Sequence, residues 1–81
     1  MLKVYGSLLC PDCVSCKTSF ENRGIPFEYH DFAVELTALK EFLALRDRDP
    51  AFDEAKEAGR IGIPCVVRED GAVSLDWESF M

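Results

Sequence analysis

The sequence predicts an α/β fold in which a mixed four-stranded sheet is flanked by helices, with elements in the order β-α-β-α-α-β-β-α. Two observations carry this reading. A β-rich run, Leu2 to Tyr5, and an aromatic and β-branched run, Ile25 to His30, are separated by a helical stretch. Strands joined through a helix pair in parallel, because parallel strands need a crossover. Further on, Cys65 to Arg68 and Ala72 to Leu75 flank Glu69-Asp70-Gly71, a hairpin signal that predicts an antiparallel pair.

Each element has a local reason. The first strand ends at Gly6, and Cys10-Pro11 opens the first helix. Proline suits the first helical position because its missing N–H would be unpaired there anyway. Cys13, Cys16 and Phe20 recur at i, i+3 and i+7, one helical face. Asn22-Arg23-Gly24 is the stop, with Gly24 supplying a left-handed residue and Pro26 following. Leu36, Leu39, Phe42, Leu43 and Leu45 form a broad apolar stripe opposite Lys40, Glu41 and Arg46, with no clear capping residue before it. Asp49-Pro50 is an acidic cap followed by a first-turn proline, so Ala51 to Ala58 is expected as a short helix closed by Gly59. Asp76 is expected to cap a final turn through Trp77, Glu78 and Phe80, whose aromatic rings pack on the sheet.

A chain of 81 residues is expected to be a single domain, 1–81. Chains of this size bury roughly 60% of their unfolded surface, so the core must be compact. With 48% hydrophobic and 30% charged residues, the composition is that of a folded soluble protein rather than a disordered one. Fifteen acids against nine bases leave a net charge of −6, which argues against nucleic acid or an anionic membrane as partner. No run approaches the roughly 20 apolar residues of a membrane helix, and the N-terminus carries no apolar leader with a small-residue cleavage site. The expectation is a cytoplasmic monomer. Cytosolic thiols are mostly kept reduced, so cysteines there are catalytic, metal-binding or simply buried.

Cys10-Pro11-Asp12-Cys13 lies between a strand and a helix, and that placement matters more than the pattern itself. Unpaired backbone N–H groups and the macrodipole at a helix start stabilise an anion. Cys10, at the cap, is therefore suited to act as a thiolate nucleophile. Cys13, three residues on, is within disulfide reach. Exchange proceeds by thiolate attack through a mixed disulfide, so Cys10 would attack and Cys13 would resolve. Two buried cysteines, or half a zinc site, are the plainer readings of the same residues. A CxxC beside a β-α-β pattern favours redox chemistry.

Val4-Tyr5, Cys10-Pro11-Asp12-Cys13, Gly62-Ile63-Pro64 and Asp70-Gly71 together resemble the small bacterial glutaredoxin-like, or glutaredoxin-related, proteins of the thioredoxin-fold superfamily, over nearly the whole chain. The resemblance implies a thioredoxin-like fold, thiol–disulfide oxidoreductase activity, no bound cofactor or metal, and a cellular reductant. Protein disulfides or low-molecular-weight thiols would be its substrates. It further implies that Pro64 is a cis proline facing the active cysteines. The backbone of Ile63 would then pair with the substrate's cysteine residue. Pro11, Asp12, Ile63 and Pro64 are accordingly the expected substrate-binding residues.

Three positions depart from the glutaredoxin pattern. Gly6-Ser7-Leu8-Leu9 lacks the lysine that precedes the first cysteine, Asp12 stands where an aromatic residue is usual, and Val73-Ser74-Leu75-Asp76 replaces a Gly-Gly pair. Glutathione is an anion, so a lost lysine and an added carboxylate both work against it. Two unit charges about 6 Å apart repel by roughly 0.7 kcal/mol in water. Glutathione remains a possible reductant, with weak use expected. Lys17, Lys56 and Arg60 are candidate partners for its carboxylates, with a solvated surface charge the plainer and favoured reading of each.

Cys16 and Cys65 are possible accessory thiols. Cys16 lies about 9 Å along a helix from Cys10, beyond the roughly 7 Å that a disulfide tolerates, so packing is its expected role. Cys65 follows Pro64 and reads as a core residue or as a fourth thiolate beside the other three. The latter arrangement would make a metal or iron–sulfur protein. A non-catalytic binding module using the Ile63-Pro64 edge is the third alternative. His30, the single histidine, reads as a surface or half-buried residue.

Overall fold

The computed structural model describes residues 1–81. Strand β1 (Leu2–Gly6) runs through the middle of a four-stranded sheet, parallel to β2 (Phe27–Asp31) and antiparallel to β3 (Cys65–Val67), with β4 (Val73–Ser74) on the far edge. Helix α1 (Pro11–Asn22) is the crossover between β1 and β2. Helix α2 (Leu36–Arg48), a 3-10 turn (Pro50–Phe52) and helix α3 (Asp53–Glu57) connect β2 to β3, and a second 3-10 turn (Trp77–Phe80) closes the chain. This is the expected order on a thioredoxin-like α/β fold with one parallel pair.

Alternation along the central strands divides the core between the two faces of the sheet. Val4 and Val66 meet Cys16 and Phe20 of α1, with Trp77 and Phe80 packed alongside. Tyr5 and Cys65, one step along each strand, meet Ala38 and Phe42 of α2 and Phe52 on the other face. Edge-to-face aromatic contacts join Phe20 to Trp77 at 6.2 Å and Phe42 to Phe52 at 5.7 Å.

The end of α1 shows how local sequence sets its length. Gly24 adopts φ +67°, Ile25 N–H donates to Phe20 O and Gly24 N–H donates to Glu21 O. This paired bonding satisfies carbonyls that a helix end otherwise leaves open. Asp49 likewise accepts from Ala51 N–H at 2.9 Å, so the Asp49-Pro50 start signal is used as expected.

Several boundaries correct the sequence reading. β2 starts at Phe27 rather than Ile25, because Pro26 has no N–H to give a ladder. The expected Ala51–Ala58 helix opens as a tighter 3-10 turn that continues as α3, which buries both Phe52 and Ala55. β4 is two residues rather than four. On α2 the sheet-facing stripe is Ala38, Phe42 and Leu45, while Leu36 and Leu43 stay exposed. Residues 36 and 43 lie on an adjacent stripe of the same helix, and the sheet can cover only one of the two. Asp76 makes no side-chain cap; Ser79 Oγ donates to the Asp76 carbonyl instead.

Candidate dithiol site

The site forms where β1 runs into α1. Cys10 is the N-cap of α1 in extended backbone conformation, with Pro11 at the first helical position. A turn precedes it: Leu9 N–H donates to Ser7 Oγ and Cys10 N–H to Ser7 O, at 3.1 and 3.0 Å. Cys10 is partly exposed and Cys13 is fully buried; all four cysteines are free thiols. The Cys13 sulfur and the Tyr29 hydroxyl both border the space that Gly6 leaves open.

Burial pushes the Cys13 thiol well above the ordinary range. The Ser7 backbone N–H pulls it down, the Cys10 sulfur raises it, and the Tyr29 hydroxyl lowers it. A sulfur shut away from water is thus supplied with donors for the moment it carries charge.

Gly6 makes this packing possible. A Cβ there would stand 2.7 Å from Cys13 Sγ and 3.0 Å from Tyr29 Oη, closer than real side chains approach. Nothing in the sequence around Gly6 announced this beyond the end of a strand. Tyr29 was equally silent, as one aromatic residue among several in β2.

Cys10 opens onto a cleft of about 640 Å³, which Asp12, Arg60, Ile61, Ile63 and Leu75 also line. Asp12 and Ile63 are therefore brought to the same cleft as Cys10. Pro11 is exposed beside it, and Pro64 is buried and does not line it. The Ile63–Pro64 peptide bond is cis. Arg46 of α2 fixes the loop before this bond, donating to Arg60 O at 2.9 Å and Ile61 O at 2.8 Å. Gly62, at φ +94°, lets the backbone pass the Phe52 ring, where a Cβ would lie 2.7 Å from Cδ1. Ile61 is exposed where it lines the cleft, and Leu8 and Leu9, just before Cys10 in the chain, are exposed as well, Leu9 by 88%.

The three basic residues separate. Lys17 pairs with Glu21 at 2.9 Å, Lys56 stands 4.0 Å from Asp53, and only Arg60, 3.6 Å from Glu54, lines the cleft. Cys16 lies in the core against Val4, Phe20 and Val66, its thiol raised to about 11 by burial. Cys65 lies in the opposite core with Tyr5 and Phe52, its thiol raised to about 12 by burial and the Asp49 carboxylate. No three His, Cys, Asp or Glu side chains gather into a group that could hold a metal ion. His30, half-buried, stacks on Tyr5 at 5.1 Å and stands 3.3 Å from Glu28. No helix is long and apolar enough to cross a membrane.

A partly exposed thiol at a helix start, backed by a buried thiol one turn later, has the arrangement needed to form and resolve a mixed disulfide. An uncharacterized protein of Haemophilus influenzae (strain ATCC 51907 / DSM 11121 / KW20 / Rd) is 33% identical over 67 residues, covering 83% of this chain and 78% of that protein. No family model matches the chain, and no solved structure matches it.

Proposed function

The chain belongs to one family with that Haemophilus influenzae protein, and from this premise we propose that it is a glutaredoxin-like thiol–disulfide oxidoreductase working through Cys10 and Cys13. The observation that carries the reading is the asymmetry of the pair: Cys10 opens to a cleft at a helix N-terminus while Cys13 waits buried behind it.

In the forward direction the Cys10 thiolate attacks a substrate disulfide. One substrate sulfur leaves with the bond's electron pair, and Cys10 is joined to the other. Cys13, as thiolate, then attacks the Cys10 sulfur, closing the Cys10–Cys13 disulfide and releasing the second substrate thiol. Two electrons pass to the substrate, and a cellular reductant in a reducing compartment such as the cytoplasm restores the dithiol. Asp12 and Ile63 line the place where the substrate would lie, with Pro11 exposed beside it and the buried Pro64 setting the course of the Ile63 backbone. The Ile63 backbone offers an edge that pairs with an extended peptide without reading its side chains.

The apolar Ile61, Ile63 and Leu75 of the cleft, with a carboxylate at Asp12 and one guanidinium at Arg60, suit a peptide disulfide better than the anionic glutathione. Glutathione is accordingly a weak reductant or substrate. Reduction of a model protein disulfide, followed with a dithiol reductant and with glutathione in parallel, tests both points. We expect robust turnover with the dithiol, weak turnover with glutathione, and loss of turnover in Cys10→Ser. Turnover that persists in Cys10→Ser overturns the reading.

A further inference from the structure

The parallel register of β1 and β2 pairs Val4 with Tyr29, which places Tyr29 on the sheet face that α1 covers, beside Gly6. The missing side chain of Gly6 leaves a point that lies 2.7 Å from the Cys13 sulfur and 3.0 Å from the Tyr29 hydroxyl. The hydroxyl oxygen is buried and has no hydrogen-bond partner, although the half-buried ring packs against the core. Buried polar groups almost always have partners. An orphaned hydroxyl against a thiol points to a bond that tightens in another state of that thiol, as catalytic hydrogen bonds often do.

We infer that Tyr29 is the positioning residue of the resolving step, its buried hydroxyl donating a hydrogen bond to the Cys13 sulfur while that sulfur is a thiolate. The inference rests on the dithiol reading above and says how its second half is made possible. In the mixed disulfide, Cys13 gives up its proton, which ends on the departing substrate thiolate. The Cys13 thiolate bonds to the Cys10 sulfur, and the bond from Cys10 to the substrate breaks with its electron pair on the substrate sulfur. The only charge that forms in this dry space sits on Cys13, and the Tyr29 hydroxyl borders the same gap at Gly6 as that sulfur. The hydroxyl is a donor and not a base: burial, reinforced by the Cys13 and Asp31 charges, makes it hold its proton more tightly than an ordinary tyrosine. In the reverse direction, a reductant attacks Cys10 and the same donor receives Cys13 as the leaving thiolate.

The test compares the two halves of exchange in Tyr29→Phe. This variant keeps the packed ring and removes only an unpaired hydroxyl, so the fold is retained. The reduced protein is mixed with a fluorophore-labelled peptide disulfide, quenched in acid at intervals and weighed by mass spectrometry. Formation of the mixed disulfide, read in a Cys13→Ser background, should stay within about twofold of the parent, while its resolution with Cys13 present should slow roughly tenfold. The adduct should accumulate. Resolution at the parent rate would leave Tyr29 a packing residue and the dithiol reading intact. Equal slowing of both halves would assign the effect to structure and overturn the inference. Absence of any Cys10 adduct in Cys13→Ser would overturn the dithiol reading and the inference together.

Discussion

Cys13 and Cys65 are both fully buried, both lie beside the chain segments that frame the cleft, and both have thiols pushed up by burial. Their surroundings differ. Cys13 faces a backbone N–H, a tyrosine hydroxyl and a second sulfur. Cys65 packs with Tyr5, Phe42 and Phe52 in the core, and the Asp49 carboxylate opposes a thiolate there. Burial alone makes a thiol inert. A buried thiol becomes usable when the groups around it can accept its charge, and only the region at the start of α1 provides them.

The largest effect that can break this comparison is on exchange itself. Cys13→Ser should stall the reaction at the mixed disulfide and lower steady-state reduction of a protein disulfide on the order of 100-fold. Cys65→Ala should leave that rate within about twofold and cost roughly 1–2 kcal/mol of stability through the small cavity it opens. Equal losses of rate in the two variants would erase the distinction.

Alkaline pH sharpens what the two thiols share. Both Cys16 and Cys65 have folded values raised from 9.0, to about 11 and about 12. Below the unfolded value both states keep the proton and the stabilising contribution is complete. Above it the unfolded chain alone loses the proton, so stability falls as pH rises toward the folded value. The slope is at most about 1.4 kcal/mol per pH unit for each thiol. Denaturant midpoints at about pH 8 and about pH 10 should fall in the native protein and fall less in Cys65→Ala; identical slopes would show that Cys65 contributes nothing to the decline.

How far the sequence carries this picture depends on which interactions are local. The strand-to-helix junction, the cap at Cys10, the stop at Gly24 and the Asp49-Pro50 start are settled within a few residues, so they are legible. The convergence of Cys10, Asp12 and Ile63 on one cleft was legible only through the family resemblance, since two of them lie some fifty residues from the third. Tyr29 and Gly6 were not legible at all. Their meeting with Cys13 is produced by the register of two paired strands, and no residue type in either strand specifies that register alone. Leu36 and Leu43 were misplaced for a related reason: two apolar stripes compete on α2, and tertiary packing chooses between them.

Two further effects concern the cleft, one on the wall opposite Cys10 and one beside it. Gly62→Ala places a methyl against Phe52 at a left-handed position and should cost about 1–3 kcal/mol of stability, while raising KM for a peptide disulfide more than it lowers kcat. Thermal unfolding with parallel kinetics checks this, and unchanged KM would separate the loop from substrate binding. Asp12→Asn should speed reaction with an anionic disulfide by no more than about threefold at low salt, the gain vanishing at high salt. A gain that survives high salt would assign the effect to something other than charge.

The Arg46 tie has a consequence for how such a protein can change. The jaw that carries Cys10 is built on α1, on one side of the sheet, whereas Arg46 hangs the facing jaw from α2, on the other. The gape of the cleft is then a dimension of the layered framework, inherited from sheet thickness rather than set by the loops that border it. Ile61, exposed on that border and outside the packed layers, is free to be exchanged for other side chains, as are the exposed Leu8 and Leu9 that precede Cys10. The surface beside the cleft can then vary as an alphabet of side chains while the span between the two jaws stays the same.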